Sequence, residues 1–298
     1  MSDTLIALAG TPEGARLATL LALMSAFAHA LFGALQKGRH DPWATRGAID
    51  AWIFLLSLPV ALFLVPWPEG QIWWLLGGAL ILHMAYKIVV ALSYARAPYT
   101  VSYPIVRGTG PLVTVAVAAV VFSEHYGWVQ WAGVGLLSGA IFTLAAVNLN
   151  AKSVDVATLR IGIAWAVLGG VLVALYTTYD AYGIRATANP FTFLAWFFLV
   201  TSVDMPVIAW VRQRGRPPPP PGLMLKGFTG ALIAFFSFGG VMLATYLDKV
   251  GEAAVLRETS TVFAALIGWL LLGERVGRTR AALMALIAAG AVLVELGG

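Results

Sequence analysis

Ten stretches of this chain stay apolar for about the length a helix needs to cross a bilayer, roughly 17–25 residues, and little lies between them. They cover residues 16–36, 47–65, 72–94, 99–122, 128–147, 161–183, 190–211, 227–246, 253–272 and 279–296. The runs are continuous and do not alternate polar with apolar residues, which disfavours a β-barrel. Charged residues are only 11% of the 298 and hydrophobic ones 60%, too little polar surface to coat a water-soluble fold of that length. The expected class is an all-α membrane protein of ten transmembrane helices.

The segments between the runs are too short to hold a soluble domain. The longest, residues 212–226, contains the five-proline run 217–221, which reads as an extended spacer. The absence of cysteine excludes disulfides and thiolate metal sites. The first 17 residues lack the basic start and small-residue cleavage site of a secretory signal, so targeting falls to the first membrane helix. The pI of about 9.6 comes from Lys and Arg in short loops, where anionic lipid and topology account for it, and no nucleic-acid partner is expected.

The two halves of the chain repeat each other. Ala30-Leu31-Phe32 returns as Ala174-Leu175-Tyr176, and Ala51-Trp52-Ile53-Phe54-Leu55 as Ala195-Trp196-Phe197-Phe198-Leu199, both 144 positions on. Gly78-Ala79-Leu80-Ile81 returns as Gly230-Ala231-Leu232-Ile233, and Tyr94 as Tyr246, 152 positions on. Arg107 and Glu124 return as Arg257 and Glu274, 150 positions on. Ordered matches with small changes of offset are what a duplication followed by loop insertions leaves. Residues 1–150 and 151–298 are therefore read as two five-helix repeats. Because five is odd, the copies are inverted, and such folds place their substrate near the membrane midplane.

The distribution of Lys and Arg, with Lys37, Arg39, Arg46, Arg96, Lys152, Arg160 and Arg212 among those on one side, points to termini outside the cytoplasm.

Ionisable side chains deep in a membrane helix are costly, at least about 2.5–3.5 kcal/mol at the centre on insertion scales, and normally face a polar cavity or a partner. The candidates are His83, Lys87, Arg107, Asp180, Asp204, Arg257 and Glu258. Helical spacing places His83 and Lys87 on one face, runs Tyr99, Tyr103 and Arg107 at i, i+4 and i+8, and groups Tyr176, Tyr179 and Asp180. Trp52 and Trp196, the equivalent tryptophans of the two halves, join this lining or anchor the packing. Asp204, followed by Pro206, reads as the cap of a local break, and Glu124 and Glu274 as holders of tight turns at helix ends. Pro104 and Pro111, with Gly108 and Gly110 between them, mark a flexible segment beside Arg107. Gly133, Gly135 and Gly139 would let backbones approach closely.

Ten short-looped helices in an odd inverted duplication, with a glutamate closing the fourth and the ninth, resemble the EamA-type drug/metabolite transporter superfamily. The matching residues are Pro111 through Phe122-Ser123-Glu124, then Gln130-Trp131-Ala132-Gly133, and Leu271-Leu272-Gly273-Glu274-Arg275-Val276. Two features depart from the family. Thr261 stands where the ninth helix often has a proline, and the charge distribution opposes the usual cytoplasmic termini, so orientation stays open.

Arginine or lysine binds a carboxylate, a carboxylate binds an ammonium, and tyrosine offers a π face and a hydroxyl. A zwitterion with an apolar side chain satisfies all three. Together with the resemblance, this implies alternating-access export of amino acids, aromatic ones included, across the inner membrane, by a protein that can act as a monomer. The alternative is a multidrug or organic-anion carrier, since Lys87, Arg107 and Arg257 are all cations. No GxxxxGK[ST] loop occurs, so the expected energy source is a proton on Asp180 or Glu258, or facilitated flow, without cofactor. An intramembrane enzyme is a distant reading. Tyr179-Asp180 lacks a partner aspartate in a GxGD context, and His29 and His83 lack metal-site spacing.

Overall fold

The computed structural model describes residues 2–36, 41–149, 156–214, 220–272 and 277–297; Glu274, Arg275 and most of the proline run lie outside them. Every regular element among these residues is helical. The first half holds α1 (Ser2–Leu8), α2 (Pro12–Gln36), α3 (Pro42–Pro59), which continues as a π-turn over Val60–Leu64, α4 (Ile72–Tyr94), α5 (Tyr99–Val121) and α6 (Trp128–Leu149). The second half holds α7 (Val156–Arg185), α8 (Pro190–Thr201), α9 (Asp204–Gln213), α10 (Pro221–Ala234), a π-turn over Phe235–Gly239, α11 (Gly240–Leu247), α12 (Val250–Arg257), α13 (Ser260–Leu272) and α14 (Arg278–Leu296). Among the described residues, nine spans along this series are long and apolar enough to cross a membrane.

Two helices, α2 and α3, start earlier than their apolar runs and α8 starts with its run, each at a polar cap followed by proline. Thr11 Oγ1 accepts from Gly14 N at 3.0 Å, Asp41 Oδ1 from Ala44 N at 2.9 Å, and Asn189 Oδ1 from Phe191 N at 3.0 Å. Pro12, Pro42 and Pro190 follow these caps, where a missing N–H costs nothing. Asp204 begins α9 after a two-residue interruption at Ser202 and Val203, as its place before Pro206 suggests.

The segment 253–272, expected as one helix, is two. α12 stops at Arg257 and α13 starts at Ser260, with no proline at the break. Hydroxyls satisfy the carbonyls freed there: Thr259 Oγ1 donates to Leu256 O at 2.6 Å and Thr261 Oγ1 to Glu258 O at 2.8 Å. By contrast α5 runs through Pro104 and Pro111 without interruption, so the break lies opposite Arg107 in the sequence repeat rather than beside it.

Packing divides the chain into two compact units, Met1–Ile81 with Asp180–Leu247, and Leu82–Tyr179 with Asp248–Gly298. In the first, small residues bring α3 against α9 and α10. A Cβ on Gly47 would lie 2.4 Å from that of Ala209, and one on Gly227 would lie 2.8 Å from the Ala48 carbonyl. Arg46 pairs with buried Asp50 at 2.9 Å one turn along α3. His29 Nδ1 lies 3.1 Å from Ser237 Oγ in the second π-turn, while Ser25 donates to the Ser237 carbonyl.

In the second unit α6 and α14 cross where Gly133 meets Gly290. A Cβ on either residue would lie 2.7 Å from the other's carbonyl oxygen. Of the three glycines noted on α6, only Gly133 has this role; around Gly135 and Gly139 a Cβ would meet open space.

The same unit fixes α12 by its N-terminus. Ser123 takes a φ of 55°, uncommon without a glycine, and turns the chain after α5. Glu124 then accepts from Val250 N at 2.8 Å and Gly251 N at 3.3 Å, the first orphan amides of α12. Tyr126 donates its hydroxyl to Glu124 and accepts from Gly251 N at 3.1 Å. Burial, and then the bond to Glu124, hold that hydroxyl protonated far above the ordinary tyrosine range. Gln130 Nε2 donates to Glu252 at 2.7 Å and to the Val294 carbonyl at 3.2 Å, tying α12 to α14. Glu124 thus holds more than a local turn, since it caps a helix more than a hundred residues away.

Two outcomes follow for thermal unfolding in detergent. Glu124→Ala lowers stability by about 1–3 kcal/mol, because a charge-assisted cap is lost from two amides. Gly133→Val lowers it by about 1–3 kcal/mol through overpacking, whereas Gly135→Val, with open space around it, changes it by less than about 1 kcal/mol.

Candidate functional site

The break between α12 and α13 carries two buried charges of opposite sign, and α5 brings a third. Arg257 occupies the last turn of α12 and Glu258 is its C-cap, both buried. Arg107 Nε stands 2.9 Å from Glu258 Oε2, and each side chain is only 4% exposed. Arg107 Nη2 also donates to Ser260 Oγ, at the first residue of α13, at 2.9 Å. The arginine thus bridges both sides of the break. The Nε to Oε2 contact is close but not aligned as a hydrogen bond.

Tyrosines surround this pair. Tyr103, one turn before Arg107 on α5, has its ring centroid 5.8 Å from the guanidinium carbon. Tyr86 and Tyr176 also lie within electrostatic reach of Arg107, and Arg257 within reach of Glu258. Tyr176 packs edge-on against Tyr86 at 5.2 Å and at a shallow tilt against His83 at 4.3 Å, and is 5% exposed. Tyr176 and Tyr86 pack into a cluster with Val101, Ile105, Val106, Val173 and their neighbours. Two small-residue approaches bring α5 to α7 here: a Cβ on Gly170 would lie 2.4 Å from that of Thr109, and one on Gly110 would lie 3.2 Å from Val173 Cγ1.

Of the twelve residues expected to line a site, the structure therefore brings His83, Tyr103, Arg107, Tyr176, Arg257 and Glu258 together in the second unit. Lys87 on α4 and Tyr179 on α7 are half-buried in that unit. Tyr99 opens α5, and its side chain lies outside the described residues. Trp52, Asp180 and Trp196 belong to the first unit. Trp196 there packs edge-on against Trp73 at 4.9 Å and at a tilt against Trp67 at 5.0 Å, and Trp52 meets Phe228 at 5.2 Å. Asp180 is buried. Tyr94 ends α4 and is 37% exposed.

Tyr86 and Ser260 were not among the expected residues. Tyr86 stands three positions after His83 and so shares its helical face as well as Lys87 does. Ser260 lies in the polar run Arg257-Glu258-Thr259-Ser260-Thr261 inside an otherwise apolar stretch, a visible sign that something interrupts the helix there.

An arginine and a glutamate held together out of water can bind a carboxylate and an ammonium respectively, and the tyrosine rings can receive an apolar or aromatic group.

Comparison with known proteins gives three findings. No curated protein matches the chain. Among 27 matching chains of solved structure, one crystal structure superposes with a TM-score of 0.74 at 17% identity, covering 95% of this chain and 97% of its own, which shows likeness of fold alone. Residues 160–296, less than half of the chain, match the EamA-like transporter family.

Proposed function

We propose that the protein is a secondary transporter that exports small amphipathic metabolites, foremost amino acids with apolar or aromatic side chains, by alternating access. The observation that carries this reading is the buried Arg107–Glu258 pair at a helix break, ringed by Tyr86, Tyr103 and Tyr176. Discontinuous helices are where transporters bind substrate, because backbone groups and charged side chains can meet there out of lipid. The two inverted five-helix repeats, 1–150 and 151–298, with the α12 and α13 segment as the ninth crossing, are part of the same proposal. A pair of contacts supports the duplication. Phe32 packs edge-on against Phe238 at 6.0 Å, and their repeat equivalents, Tyr176 and Tyr86, do the same at 5.2 Å.

A second reading, an organic-anion carrier, is favoured by Arg257, which gives the cluster two arginines for one carboxylate. In proteoliposomes loaded with unlabelled substrate, labelled aromatic amino acids are expected to exchange and organic phosphates to stay outside. Uptake of phosphates alone would replace the amino-acid reading with the anion one. Tyr86→Ala is expected to raise the half-saturation concentration for aromatic amino acids about two- to tenfold, the loss of one ring contact. Asp180 is the proposed proton carrier. Asp180→Asn should then flatten the pH dependence of flux, and an unchanged pH profile with unchanged flux removes Asp180 from that role.

A further inference from the structure

The break that the Arg107–Glu258 pair spans has hydrogen bonds of its own. The carbonyls released between α12 and α13 are already engaged by Thr259 and Thr261 hydroxyls and by the amides of Glu258, Thr259, Thr261 and Val262. Glu124 and Gln130 anchor the other end of α12. The pair is also poorly directed. Its closest contact, Nε to Oε2 at 2.9 Å, does not meet hydrogen-bond alignment, and Ser260 takes one further guanidinium N–H. A guanidinium is built for two parallel bonds to one carboxylate. What the pair achieves is mutual neutralisation of two charges that could not stay buried apart.

We infer that substrate is admitted by ion-pair exchange: the carboxylate of a zwitterion replaces Glu258 on Arg107, and its ammonium replaces Arg107 on Glu258. Glu258 is then an internal stand-in that keeps Arg107 paired while the site is empty. The substrate carboxylate gains the bidentate geometry that Glu258 lacks, and the ammonium leaves Glu258 with a partner. The group between the two charges points its side chain to the rings of Tyr86, Tyr103 and Tyr176. The exchange rests on the transport reading above, and makes a sharper demand, that the best substrate carries both charges. A simple anion would leave Glu258 to Arg257 alone with no ammonium, and a simple cation would strand Arg107.

The test is competition against labelled phenylalanine counterflow in proteoliposomes of the full chain, using phenylalanine, its N-acetyl derivative and its methyl ester. In the unaltered protein, phenylalanine is expected to compete at a concentration at least about tenfold below the methyl ester, which leaves Arg107 unmatched, and below the N-acetyl anion, which brings Glu258 no ammonium. Glu258→Gln is expected to narrow the gap between phenylalanine and the N-acetyl anion, since no carboxylate is then left to hold the ammonium. The Arg107→Gln, Glu258→Gln double variant, which removes the pair and keeps Arg257, is expected to lose the preference for the zwitterion. Equal competition by the three compounds in the unaltered protein, or an unchanged ranking in Glu258→Gln, overturns the exchange while leaving amino-acid transport in place. Absence of any phenylalanine counterflow overturns the transport reading itself.

Discussion

A charge cannot be left alone in the apolar interior of a membrane protein, and the second unit is arranged around that fact. Arg107 on α5 and Glu258 at the end of α12 each make the other tolerable, at 2.9 Å and almost out of solvent reach. The neighbouring tyrosines fit the same logic. Their rings are apolar enough for the surroundings, yet Tyr103 turns its π face toward the guanidinium. Removing the pair's polarity from this environment would leave three aromatic rings and an ordinary packed core.

Keeping the two charges in register requires the helix that carries Glu258 to be held at a fixed height. α12 has only eight residues, too few to stay helical on its own. Its stability has to come from outside. Glu124 and Tyr126 take its first amides, Gln130 ties Glu252 to α14, and the Gly133 and Gly290 crossing sets the distance between α6 and α14. The glutamate that closes α5 and the arginine seventeen positions before it thus act on opposite ends of the same short helix. That division of labour explains why one apolar run carries both residues.

Most of the membrane architecture was legible because bilayer thickness imposes a long, unambiguous pattern. Helix starts were less so. Hydropathy stops at the first polar residue, while the chain continues helical to Thr11-Pro12 and Asp41-Pro42, whose polarity is the capping chemistry itself. The break in residues 253–272 carries no proline, whereas α5 carries two and stays continuous. Thr261 stands in place of the expected proline, yet its hydroxyl and that of Thr259 supply another way of interrupting a helix, by engaging its carbonyls. Spacing correctly joined Tyr103 to Arg107 along one helix. It could not show that Glu258, 151 positions away, completes the pair, because nothing in a single sequence encodes which helix faces which.

The repeat offsets also bear on why one unit carries the ionic cluster. Tyr176 and Tyr86 correspond to Phe32 and Phe238, so equivalent edge-on pairs occur in both units, with hydroxyls in one and none in the other. Near the phenylalanine pair stand His29 on Ser237, Ser25 on a carbonyl, and Arg46, whose guanidinium lies 5.4 Å from the Phe32 ring centroid and pairs with Asp50 on its own helix. Near the tyrosine pair the ion pair joins two different helices, α5 and the end of α12. A duplicated fold supplies two equivalent aromatic seats, and each has an arginine beside it. Under the proposed duplication, the seats differ in how that arginine is neutralised, within one helix and partly exposed for Arg46, between helices and out of solvent for Arg107, which is the asymmetry that a single-substrate site would need.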